Sequence, residues 1–154
     1  MRITLIVVGR LKERFWREAA EEYLKRLGPY ANVRVVEISD RDCGRDESRA
    51  LAEEGADILR ALPDGAHVFA LEIGGKQRSS EKFSAHLDEL ALSGKSSVAF
   101  VIGGSVGLAS DVLARADERV SLGPMTLPHN LARVVLLEQL YRAFRISRGE
   151  PYHK

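Results

Sequence analysis

Polar chemistry in this 154-residue chain gathers near its C-terminal end. Leu127-Pro128-His129-Asn130 leads into a long segment carrying Arg133, Arg142, Arg145 and Arg148, and Gly149-Glu150-Pro151-Tyr152-His153-Lys154 follows. Chain ends usually fray, and a frayed end has no use for an aromatic ring, an imidazole and an ammonium group side by side. Imidazole moves protons near neutral pH, and guanidinium groups bind anions. The stretch reads as built for contact.

A second set of residues is defined by position. Glycine follows nearly every short apolar run: Gly9, Gly74-Gly75, Gly103-Gly104 and Gly123. In open α/β sheets the ligand crevice lies outside the carboxyl ends of the strands, where only glycine lets the backbone come close to a ligand. Any one of these also suits an ordinary turn; Gly103-Gly104, with Gly107 three residues on, is the strongest candidate for a binding role. A side chain at Gly103 is expected to fill the pocket and leave the fold largely intact.

Several chemistries are excluded. Gly103-Gly104-Ser105-Val106-Gly107 lacks the G-x-G-x-x-G spacing, and Gly94-Lys95-Ser96 ends like a P-loop but has Glu89 where the first glycine belongs. His67, His86, His129 and His153 show no metal-ligand spacing with one another or with Cys43, so no metal is expected. No serine stands in a G-x-S-x-G elbow.

The elements that must hold these residues are legible. Apolar, β-branched runs at 3–8, 33–38, 68–73 and 98–102, with a fifth at 119–122, read as strands, mostly near-continuous as in a sheet buried on both faces. Helical patterns at 12–27, 48–62 and from a Ser80 cap to Gly94 lie between them. The alternation predicts one α/β domain over 1–154, an open, mostly parallel sheet with helices on both faces. The last helix, from 131 through 146, is apolar on most sides, which points to burial against a second subunit as well as its own sheet.

Length and composition agree with a single globular domain: 45% of residues are apolar and 29% charged. The net charge of +1 conceals a division, with +3 over 10–34, −6 over 35–128 and +3 over 129–154. Two basic segments on an acidic body suit either a local nucleic-acid surface or solvated helix faces. A lone Cys43 and the absence of a signal or membrane-spanning pattern give a cytoplasmic expectation, with no membrane partner.

Five blocks carry a resemblance: Leu71-Glu72-Ile73-Gly74-Gly75-Lys76-Gln77; Phe100-Val101-Ile102-Gly103-Gly104 with Gly107-Leu108; Met125-Thr126-Leu127-Pro128-His129 with Leu131, Arg133 and Val134; Glu138 through Ile146; and the terminal Gly149 to Lys154. Together they resemble the ribosomal large subunit methyltransferase H family, along the whole chain. The resemblance implies a SPOUT fold with a C-terminal trefoil knot, a homodimer, and S-adenosylmethionine-dependent methylation of N3 of a pseudouridine in 23S ribosomal RNA of the large subunit or whole ribosome. It places adenosylmethionine against Leu71, Gly103, Gly104 and the loop Leu122, Gly123, Pro124, Met125, Thr126 and Leu127. The acidic residue that some relatives carry between the two glycine positions is replaced by Ser105-Val106, which receive no role. Within that reading His129 and His153 are candidate proton acceptors, Tyr152 a stacking platform, and Arg133, Arg142 and Lys154 holders of phosphate or of a developing anion. An i, i+4 ion pair with Glu138 is the alternative for Arg142, and a helix-start role the alternative for His129. A knotted methyltransferase acting on transfer RNA and a non-catalytic ribosome assembly factor are the rival functions.

Overall fold

The computed structural model describes residues 1–42 and 44–152. Along the chain run β1 (Arg2–Val8), α1 (Arg14–Leu27), β2 (Asn32–Ile38), α2 (Glu47–Ala61), β3 (His67–Gln77), α3 (Ser80–Leu92), β4 (Ser97–Ile102), α4 (Ser110–Arg115), β5 (Glu118–Ser121) and α5 (His129–Ser147). The strands form one sheet in the order β2-β1-β4-β3-β5, and every pairing is parallel. Among the described residues no helix is long and apolar enough to cross a membrane.

Alternation along the strands builds two cores. Ile3, Leu5, Val7, Phe69 and Phe100 pack against Leu27 of α1, Leu87 of α3 and Leu136, Leu137 and Leu140 of α5. Their neighbours in sequence, Ile6, Val8, Val68, Ala99 and Val101, face the other way onto Ile58 of α2 and Val112 of α4. Helices therefore cover both faces, and the inner strands are apolar throughout because each side chain meets one layer or the other.

Sequence periodicity misses four local features. Ser79, rather than Ser80, caps α3 by accepting from the Lys82 amide at 3.2 Å, while the Ser80 hydroxyl donates to Gln139 at 2.7 Å. The six-residue α4 is too short to leave a periodic signature. Strand β3 does not end at Gly74-Gly75 but continues to Gln77, with a break in which Val120 of β5 faces both Leu71 and Lys76. Gly75 sits against the β5 backbone: a Cβ there would lie 2.7 Å from atoms of Arg119 and Val120.

Helix α5 is less uniformly enclosed in one chain than its composition suggests. Ala132, Leu136, Leu137, Leu140 and Ala143 are buried, whereas Leu131, Val134 and Val135 remain half-covered. Replacing a residue such as Leu137 with alanine would cost about 2–5 kcal/mol through lost transfer energy and the cavity left behind.

Candidate active site

A cavity of about 780 Å³ opens at the carboxyl ends of β3, β4 and β5, within the ~300–1,000 Å³ range of small-molecule sites. Its walls come from three places. Leu71, Glu72 and Ile73 form the β3 side; Ile102 through Leu108 form the β4 side; and the chain from Val120 through Gly123 and from Met125 to His129 closes the third. Eight of the nine residues expected to contact a cofactor line it: Leu71, Gly103, Gly104, Leu122, Gly123, Met125, Thr126 and Leu127. Pro124 lies between lining residues without contributing to the wall.

Glycine is required here by the chain's own packing as much as by any ligand. A side chain at Gly103 would run into the carbonyl of Gly107, because the 104–107 turn, closed by Gly107 N–H donating to Gly104 O at 3.1 Å, folds back over it. The expectation that Gly103→Val would merely fill the pocket is therefore corrected: it displaces the turn. Gly107 (φ +81°) and Gly123 (φ +130°) adopt backbone conformations that side chains disfavour, and a Cβ at either would meet open space.

Ser121, which no sequence pattern singled out, sets the shape of the 122–127 loop. Buried at the end of β5, its hydroxyl accepts from the Gly123 amide at 3.1 Å and donates to the Gly123 carbonyl at 3.0 Å. It thus satisfies a tight turn that must reverse the chain at the cavity wall.

The other candidate residues separate into two groups. His129, the first residue of α5, stands at the cavity with its Nε2 3.9 Å from where a Cβ on Gly9 would be. Arg133 follows one turn later but is buried, and both of its terminal nitrogens donate to Glu37 Oε1 at 3.0 Å. The Glu37 carboxylate also faces Arg10 at 3.8 Å. This ion pair ties α5 to the end of β2.

Arg142 and Tyr152 are not at this cavity. Arg142 lies thirteen residues past His129, about 20 Å along the helix axis. Arg142 donates to Glu138 Oε1 from Nε at 3.0 Å and from a terminal nitrogen at 2.7 Å, so the i, i+4 pair is formed. The Tyr152 ring packs beneath its guanidinium at 4.7 Å, and the Tyr152 hydroxyl donates to the same Glu138 oxygen at 3.1 Å. Burial first, and then the hydrogen bond to Glu138, push the Tyr152 phenol above its ordinary value, so it is a proton donor at neutral pH. An ion pair holds the tail against its own helix, with Glu150 Oε2 2.8 Å from Arg145. His153, Lys154 and Cys43 lie outside the described residues.

Comparison with known proteins adds family membership to this geometry. A family model described as "Predicted SPOUT methyltransferase" matches residues 1–153. Proteins named "Ribosomal RNA large subunit methyltransferase H" from Listeria monocytogenes serotype 4a (strain HCC23) and Bacillus thuringiensis (strain Al Hakam) are each 54% identical over 159 aligned positions, covering 100% of both chains. Among solved structures, a probable methylase family protein from Haemophilus influenzae Rd KW20 matches 99% of this chain and 70% of its own with a TM-score of 0.56 and 16% identity. A probable methyltransferase from Bordetella pertussis Tohama I matches 93% and 96% with a TM-score of 0.57 and 18% identity. At such identities the structural matches speak for the fold alone. On the strength of the family model and the full-length relatives, the chain belongs to the SPOUT methyltransferases and, within them, to the ribosomal RNA large subunit methyltransferase H family.

Proposed function

We propose that this methyltransferase transfers a methyl group from S-adenosylmethionine to N3 of a pseudouridine in 23S ribosomal RNA, on the assembled ribosome in the cytoplasm. The observation that carries the reading is the glycine-rich cavity at the strand ends, in a chain that aligns end to end with relatives named for ribosomal RNA methylation. S-adenosylmethionine, when bound, supplies a methyl group already activated on a sulfonium centre.

The residues present fit such a ligand. The open space beside Gly107 and Gly123 lets an adenine and ribose lie against backbone, and Leu71, Leu122 and Leu127 give apolar walls for a flat ring. What remains for the protein is to align the acceptor nitrogen, remove its imide proton and exclude water. His129 stands at the cavity and can take that proton on its imidazole. Arg133 is a positioning residue: through Glu37 it anchors the first turn of α5, and with it His129.

The separation of Arg142 and Tyr152 from their own cavity supports a homodimer. In this reading the tail and the middle of α5 from one copy complete the cavity of the other, and the contact covers the half-exposed Leu131, Val134 and Val135. Exposed apolar groups around the cavity mouth, Ile73 at 56% and Met125 at 83%, favour the same burial. The trefoil knot belongs to the same proposal, supported by the chain's match to the SPOUT family.

The test supplies labelled methyl donor with intact ribosomes, stripped ribosomal RNA, and ribosomes lacking the pseudouridine. Incorporation is expected in the first alone; equal incorporation into all three rejects the substrate assignment. Calorimetry on Thr126→Trp, a change at an exposed wall residue, should show adenosylmethionine affinity reduced at least about tenfold. Unchanged affinity would move the cofactor elsewhere.

A further inference from the structure

At the amino ends of β3 and β5, away from the cavity, the fold assembles a cluster whose members are far apart in sequence. His67 opens β3, His86 lies on α3 and Glu118 opens β5. His67 Nε2 is 2.8 Å and His86 Nε2 2.5 Å from the same oxygen, Glu118 Oε1, and the three atoms all lie within 4.8 Å of one another. We propose that His67, His86 and Glu118 bind one divalent transition metal ion of the zinc type, as a structural pin across α3, β3 and β5.

In the structure each Nε2–H donates to Glu118 Oε1, and a metal ion would take the place of both hydrogens between the same three atoms. His67 Nδ1 faces Lys95 Nζ at 3.5 Å and Asp117 at 3.9 Å, and His86 Nδ1 faces Glu89 at 3.5 Å. With the ion bound, hydrogen would sit on each Nδ1 toward these carboxylates, as in carboxylate–histidine–metal arrangements. Arg78 holds the other Glu118 oxygen.

Glu118 is prepared for the role. Its Oε1 accepts from His67 and His86 and its Oε2 from Arg78, so the carboxylate is held in one orientation. Arg78 occupies Oε2, so Oε1 is left as a single ligand atom. Tetrahedral zinc sets its ligand atoms about 3.4 Å apart, so the two short contacts must open by less than about 1 Å. His67 is buried while His86 and Glu118 are partly exposed, which leaves an approach from solvent and a fourth position for water.

The experiment strips the full-length protein with a chelator and titrates zinc against a chromophoric competitor. One zinc per chain at about micromolar affinity or tighter is expected, together with a rise of several degrees in Tm. His86→Gln should weaken zinc binding at least about a hundredfold and abolish the Tm rise, while Glu89→Gln should weaken it about tenfold. Glu89 is 75% exposed, so its variant keeps the fold and gives a reading even if His86→Gln does not fold. Cobalt substitution should give visible absorption bands that Glu89→Gln shifts. A Cys43→Ser, His153→Ala protein should retain the zinc. Affinity weaker than about 0.1 mM, or equal affinity in parent, His86→Gln and Glu89→Gln, overturns the proposal. Because His67 stands about 13 Å along β3 from Leu71 at the cavity, either result leaves the methyl-transfer reading intact.

Discussion

The two ends of the sheet solve opposite problems. At the carboxyl ends the wall is largely backbone and apolar side chain, opened by glycines whose missing Cβ atoms leave room. At the amino ends of β3 and β5 the space is filled by side chains, with Glu118 contacted by His67, His86 and Arg78 at once. A site made of backbone tolerates changes of side chain around it but not a Cβ within it. A site made of side chains is the reverse, since deleting one partner strands the others without a hydrogen bond. The comparison also separates roles: the open end can admit a ligand, while the filled end fastens three elements together.

The contrast can be broken at several points. The largest effect is expected from Gly75→Val, which drives a side chain into the β5 backbone at Arg119 and Val120, where no flexible atom can yield. Loss of soluble protein, or a Tm lowered by the equivalent of more than about 3 kcal/mol, should follow; a variant with the parent Tm would show that β3 and β5 can separate there at little cost. Gly103→Val should come next, losing adenosylmethionine binding and about 1–3 kcal/mol of stability together, because the 104–107 turn must move. Binding lost at unchanged stability in chemical denaturation would mean the turn relaxes freely.

Glu37→Gln tests the ion pair behind the first turns of α5. It leaves the buried Arg133 charge without its anion, a change expected to cost about 2–3 kcal/mol by denaturant titration and to lower methyl transfer by misplacing His129. Full activity in the folded variant would remove Arg133 from the positioning of α5. Deleting residues 152–154 should spare adenosylmethionine binding and self-association and lower the methylation rate at least about tenfold, roughly 1.4 kcal/mol in activation free energy. An unchanged rate would separate the tail from catalysis. The smallest signal is the affinity for free RNA: with a net charge of +1 and only two basic segments, binding should be weak and fall steeply with salt in a filter or fluorescence titration. A salt-independent affinity would point to base-edge or stacking contacts in place of phosphate contacts.

Much of this molecule follows from residue order alone. The five strands, three long crossover helices and C-terminal helix are local consequences of apolar period, β-branching and glycine or proline punctuation, and they lie within a few residues of their expected positions except where β3 continues past Gly75. The glycines at the strand ends pointed to a cavity there for the same reason, since backbone conformation is a property of the residue itself. The family blocks around Gly103 and Leu127-Pro128-His129 carried the methyltransferase reading without any coordinates. Contacts between distant residues were beyond that reach. Nothing in spacing brings His67, His86 and Glu118 to one oxygen, pairs Arg133 with Glu37, or places Gly75 on the backbone of Val120. These depend on strand order, β2-β1-β4-β3-β5, which is set by the global packing of both helix layers and not by any local pattern. The sequence specifies which groups are available; the register of β3 beside β5 decides which of them meet.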